Sequence, residues 1–167
     1  EYNFPAKKHK EAFYTVIDHN MATTVHAGEA YGAESIHQAL HYCHADRIGH
    51  GTRLYENPEL EAYVCDRRVP LEICITSNLQ TRAVPSAESH PVRRYYDLGI
   101  VVCLNTDNRL MSATTVTDEL WIAHTRLGFR REEIDKLILY GFQSAFQPLR
   151  EREAIVAGIK RELEAIR

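Results

Sequence analysis

The sequence predicts an α/β fold, the C-terminal half of a (β/α)₈ TIM barrel. Three observations carry this expectation. Apolar segments alternate with amphipathic helical stretches, the pattern of a parallel sheet wrapped in helices. Each apolar segment ends in ionisable or polar residues, as in enzymes whose chemistry sits on the C-terminal rim of a barrel. Only about half of the eight strands that close a barrel are present, and the 167 residues fall short of its usual length of roughly 250.

Strands are expected at residues 22–28 (ATTVHAG), 47–51 (RIGHG), 69–78 (VPLEICITSN) and 99–107 (GIVVCLNTD). The last two are rich in Ile, Val and Leu, as strands covered on both faces require. Phe13, Val16 and Ile17 share a helical face before the first strand, and Ile36, Ala39, Leu40 and Cys43 share one after it. Pro58 opens a short helix through Asp66, at the first-turn position that proline favours. Three helices follow the last strand, over 117–127 with Thr117 as cap, over 132–146 and over 151–166. The last alternates Glu and Arg on a solvated face.

The order αβαβαβαβααα leaves two strand edges unpaired, a liability for a chain standing alone. Residues 1–167 therefore read as a single region, with an N-terminal barrel half expected elsewhere. The start at Glu1 rather than Met suits a processed, trimmed or partial chain. No G-x-G-x-x-G follows the first strand, which argues against an open dinucleotide-binding sheet.

Composition narrows the class further. Apolar residues make up 44% of the chain, enough for a packed core, and the net charge is −3 with both signs interspersed. Neither the concentrated basic footprint of a nucleic-acid binder nor a polybasic membrane surface is present. No apolar run approaches the roughly 18 residues of a membrane span, and EYNFPAKKHK lacks the apolar segment of a secretory signal. Cys43, Cys65, Cys74 and Cys103 form no C-x-x-C pair and read as reduced thiols in a cytoplasmic protein.

Three motifs carry chemistry. In TVHAGE, His26 ends a strand and Glu29 follows three residues on, with Ala-Gly between them to let the backbone turn. The alternative is a core histidine followed by a helix-capping glutamate. In RIGHG, His50 lies between two glycines and suits proton transfer near neutral pH, against the alternative of a hydrogen-bonded turn histidine. In VVCLNTDN, an apolar strand ends in Asp107 and Asn108, a hard carboxylate ligand beside an amide, against an N-cap or Asx-turn aspartate. Each alternative is plausible singly; three coincidences at successive strand ends are not. Two histidines and an aspartate with a further carboxylic acid suit hydrolysis by a metal-activated water. Zinc is the natural ion for mixed imidazole and carboxylate ligands, with cobalt and iron also compatible.

TVHAGE, RIGHG and LNTDN, in this order and spacing, resemble the adenosine deaminase family of amidohydrolase-type barrels, over about residues 4–149. The resemblance implies zinc-dependent hydrolytic deamination of adenosine and 2′-deoxyadenosine, in purine salvage. It implies His26 and Asp107 as zinc ligands, Glu29 as the donor of a proton to purine N1, and His50 as the group that orients and deprotonates the attacking water. Asn108 would contact purine N7. The family also uses an H-x-H pair on its first strand, and no H-x-H occurs here, so two ligands are expected from the absent half and this stretch alone is expected to be inactive.

One departure bears on substrate choice. Where the family pattern has a second aspartate and then proline, this chain has Asn108-Arg109. An asparagine amide donates directly to an acceptor such as N7, without the protonation that an aspartate needs. Deamination of another aminopurine (adenine, AMP or a modified adenosine) is the neighbouring reading, and a catalytically dead nucleoside- or protein-binding barrel is the reading from another class. The alternative zinc deaminase design, H-x-E with P-C-x-x-C, is absent.

The remaining histidines are set aside. His37, His41 and His44 could align on a helix, but the apolar stripe claims the core side and leaves them on a solvated flank. His9, His19 and His124 lack companions. His90-Pro91 starts a helix through Tyr96, and the polar stretch 81–90 reads as a loop over the cleft.

Overall fold

A computed structural model describes residues 3–166; Glu1, Tyr2 and Arg167, which the single-region reading included, lie outside the described residues. Four short parallel strands, β1 (Thr24–Ala27), β2 (Arg47–His50), β3 (Leu71–Ile73) and β4 (Val102–Leu104), lie side by side in chain order. The register sets Val25, Ile48, Leu71 and Val102 in one row across the sheet, each no more than 6% exposed. This row packs under the helices. Because side chains alternate along a strand, a second row of His26, Gly49, Glu72 and Cys103 occupies the opposite face, where His26 is exposed.

The helices are α1 (Lys10–Asp18), α2 (Gly32–His41), α3 (Pro58–Asp66), α4 (Ile75–Gln80), α5 (Val92–Asp97), α6 (Arg109–Ser112), α7 (Val116–Leu127), α8 (Arg131–Gln143) and α9 (Leu149–Ala165). Ile36, Ala39 and Leu40 of α2 enter the core together with Cys43, as their spacing predicts. Pro58 stands in the first turn of α3, whose Asn57 cap accepts the Leu60 N–H. In α1 the expected stripe is shallower: Phe13 and Val16 are half-buried and Ile17 is exposed.

Several expectations are corrected. The strand expected over 69–78 ends at Ile73, and Ile75–Gln80 winds into α4. Ser77 and Asn78 therefore stand on a helix, not at a strand end. The cause is that Ile75 and Asn78, three apart, both face the interior at 0% exposure, and a short apolar run does not distinguish strand from buried helix. The cap of α7 is Thr115 rather than Thr117: its hydroxyl accepts the Asp118 N–H while Asp118 accepts the Thr115 N–H. Helix α8 runs 131–143 and α9 runs 149–165, each shifted toward the N-terminus of its expected span. No helix among the described residues is long and apolar enough to cross a membrane.

Candidate active site

The site is built where the strands stop. Gly28 follows β1 with φ +76°, and a Cβ there would lie 2.4 Å from Ile36 Cδ1 and 3.2 Å from the Gly51 Cα. Only glycine fits this turn without strain. The turn carries Glu29 inward, so that it is 7% exposed although it belongs to a loop. Its Oε1 accepts hydrogen bonds from Asn78 Nδ2 at 2.8 Å and Thr81 Oγ1 at 2.9 Å. Its Oε2 lies 3.7 Å from His26 Nε2. Helix α2 starts instead behind Tyr31, with no side-chain cap, so the helix-capping alternative for Glu29 does not hold.

His50 is registered against Ala27, so strict alternation would turn it away from His26. Its backbone is left-handed, φ +66°, which ends the pleat and swings the ring to 4.5 Å from the His26 ring. Asp107, beyond β4, is also left-handed at φ +55°. Non-glycine residues in this region concentrate where the surroundings over-determine them, often at functional sites. Asp107 Oδ2 accepts the Ser77 hydroxyl at 2.7 Å and lies 4.0 Å from His50 Nε2. Asn108 caps α6, its Oδ1 accepting the Met111 N–H at 3.1 Å. The N-cap alternative weighed for Asp107 thus falls on its neighbour.

The sequence motifs left one cluster unrecognised. Asn78, at 0% exposure, contacts Glu29 and also His50, its Nδ2 lying 3.0 Å from His50 Nδ1. Its Oδ1 accepts the Thr52 hydroxyl at 2.8 Å and faces His90 Nε2 at 3.1 Å. Burial first, and then the nearness of the His50 ring, hold the His90 ring far below the usual histidine range, at about 4, so it is neutral. The available signal was the density of polar residues, Thr52, Asn78 and His90, inside otherwise apolar stretches. Buried polar groups need partners.

His26, Glu29 and His50 each offer a ligand atom, and the three atoms lie within 4.8 Å of one another. Imidazole and carboxylate donors on an uncovered rim fit a divalent ion of the zinc class, and Asp107 reaches the group through His50. A cavity of about 460 Å³ opens beside Glu29 and is lined by Arg53, Tyr55, Thr81 and Arg82. The start of the 81–90 stretch thus borders the cleft. These histidines stay outside: His19 and His124 pair with the carbonyls of Thr15 and Phe129, and the His37 and His41 rings meet at a tilt of 48° on α2. Burial pushes the Cys74 thiol up strongly and the Cys103 thiol to about 11, so neither is a nucleophile near neutral pH.

The chain is similar to known proteins in sequence and in fold. The sequence pattern of the family described as adenosine deaminase matches residues 1–162. An adenosine deaminase of Clostridium acetobutylicum is 42% identical over 146 residues, covering 87% of this chain and 44% of its own length. The chain thus spans under half the length of this relative. The crystal structure of an adenine deaminase from Arthrobacter aurescens superposes with TM-score 0.93 at 26% identity, covering 98% of this chain and 50% of the other. An amidohydrolase from Burkholderia ambifaria, solved with bound Zn, gives TM-score 0.89 at 25% identity, over 96% and 45% of the two chains. The four strands and their helices are the C-terminal half of a (β/α)₈ barrel.

Proposed function

The chain belongs to the adenosine deaminase family, and on that premise we propose that it carries the C-terminal part of a site that hydrolyses adenosine and 2′-deoxyadenosine to inosine or deoxyinosine and ammonia. The observation that carries this reading is one line of contacts along the rim: Glu29 lies 3.7 Å from His26 and 3.6 Å from His50, the two imidazole rings are 4.5 Å apart, and Asp107 lies 4.0 Å from His50.

His26 and Asp107 would hold a zinc ion, and the remaining ligands would come from barrel strands outside this chain. When bound, the ion supplies Lewis acidity and makes water a competent nucleophile near neutral pH. Glu29 is the acid for purine N1. Asn78 and Thr81 both donate to Oε1, which marks Oε1 as an acceptor and assigns the proton to Oε2, on the His26 side. His50 faces the same space as Asp107 and holds the attacking water in line. Asp107 is kept in one orientation by Ser77. With its oxygen accepting the Met111 N–H, Asn108 would offer its amide nitrogen as the donor for N7.

A second reading, deamination of another aminopurine, is favoured by Asn108 and by the adenine deaminase likeness. The test is to assay the complete protein carrying this chain on adenosine, 2′-deoxyadenosine, adenine, AMP and N6-modified adenosines, with its metal content measured. Adenosine as the substrate of highest kcat/KM, with bound zinc, supports the first reading. Preference for adenine or AMP selects the second. A metal-free protein that deaminates none of them would be the catalytically dead barrel.

A further inference from the structure

Helix α5 and the active site are joined by a chain of hydrogen bonds whose direction can be read end to end. The Val92 N–H donates to His90 Nδ1 at 3.1 Å. A backbone amide can only donate, so Nδ1 is an acceptor and the His90 proton resides on Nε2. That proton points at Asn78 Oδ1, 3.1 Å away, which the Thr52 hydroxyl also reaches at 2.8 Å. The flipped amide would set its NH₂ against the His90 N–H, donor to donor, and its oxygen against the Glu29 carboxylate. The amide of Asn78 therefore has one satisfiable orientation. Its two N–H groups face Glu29 Oε1 at 2.8 Å and His50 Nδ1 at 3.0 Å.

We propose that Asn78 and His90 are a positioning pair that fixes His50 as the Nε2–H tautomer, so that it meets the attacking water as a hydrogen-bond donor rather than as the base that the family resemblance implies, and that sets which oxygen of Glu29 accepts. The proposal rests on the deaminase reading for its consequence, but not for its geometry. Both residues are deeply buried, His90 at 3% and Asn78 at 0% exposure, so water does not compete for these bonds. The low basicity of His90 keeps the pair intact through the neutral range. The rival arrangement has a proton on His50 Nδ1, aimed at Glu29 Oε1. That separation is 3.6 Å, too long for a good hydrogen bond, and it would oppose the Asn78 amide.

The test uses the complete protein labelled with ¹⁵N in histidine, and long-range ¹H–¹⁵N correlation to read each imidazole tautomer. His50 and His90 are both expected as Nε2–H, and Asn78→Ala should release His50 into a mixture. His90→Phe keeps the ring but not the donor, and should lower kcat on adenosine by about 10–100-fold with KM little changed, the scale of lost supporting partners. His90→Gln restores an N–H donor and should recover most of that loss, which a merely space-filling His90 would not predict. Wild-type His50 as Nδ1–H overturns the proposal, as does a His90→Phe enzyme with undiminished kcat or a His90→Gln enzyme no better than His90→Phe. Should a variant fail to fold, the wild-type tautomer decides alone. Should the wild type deaminate no aminopurine, the functional reading fails while the tautomer measurement still judges the pair.

Discussion

Ser77 donates its hydroxyl to Asp107 Oδ2 across 2.7 Å, linking the helix after β3 to the loop after β4. The Asp107 side chain is 42% exposed, so this bond is what holds its carboxylate, through the same oxygen that lies 4.0 Å from His50 Nε2. Ser77→Ala in the complete protein should weaken zinc binding by about 10–100-fold, since partners that orient a metal ligand typically contribute that much. Chelator competition measures it. Unchanged affinity would remove Asp107 from the ligand set.

Glu29→Gln keeps the acceptor that Asn78 and Thr81 need and removes the transferable proton. It should bind nucleoside nearly normally while kcat falls by roughly 10²–10⁴-fold, the usual range for general acid–base contributions. Steady-state kinetics with a folded control decide. Turnover near wild type would sink the proton-donor assignment.

Why the motifs were legible and the support was not has a physical basis. His26, Glu29, His50 and Asp107 sit in short local patterns, each at the end of an apolar run, and sequence spacing alone puts them on one rim. Asn78 and His90 act across loops, bonded to residues 28 and 12 positions away, and no local pattern encodes such a pairing. Cys74-Ile75 extends the apolar run of β3, which hid the start of α4 and with it the helical placement of Ser77 and Asn78. The cap of α7 lies two positions before the expected Thr117 because Thr114, Thr115 and Thr117 all suit a cap by type. The reciprocal bond with Asp118 selects Thr115.

Gly28→Ala tests the turn that delivers Glu29. The new Cβ would meet Ile36, which is 0% exposed and has little room to yield, in a backbone conformation with φ +76°. The expected cost is about 1–3 kcal/mol, combining left-handed strain with overpacking. Gly99, at φ +85° with nothing within 4 Å of a built Cβ, is the control for strain alone. Urea denaturation should show Gly28→Ala losing more stability than Gly99→Ala. Equal losses would mean that Ile36 repacks freely and that the close approach is not a constraint.

Glu133 gives the stability a defined acid dependence. The Arg93 guanidinium donates to both its oxygens at 2.9 Å, and the Arg130 backbone N–H donates at 2.8 Å. Arg93 first, then that N–H, hold the carboxyl down to about 2, against an ordinary 4.5. A carboxylate whose folded pKa is depressed adds stability that is fully present above its unfolded pKa and is lost as pH falls through the folded one. The window here runs from about pH 4.5 down to about 2. Glu133 is 10% exposed in its side chain and Arg93 30%, so solvent screening reduces the gain to about 1–2 kcal/mol. Glu133→Gln removes the charge and makes that contribution independent of pH. In urea titrations wild type should exceed Glu133→Gln by a constant margin from pH 7 to 5, and the margin should shrink by pH 3. A margin equal at pH 7 and pH 3 would show that the Arg93 pair does not couple α5 to α8 through charge, and that Glu133 acts there only by its shape and its neutral hydrogen bonds.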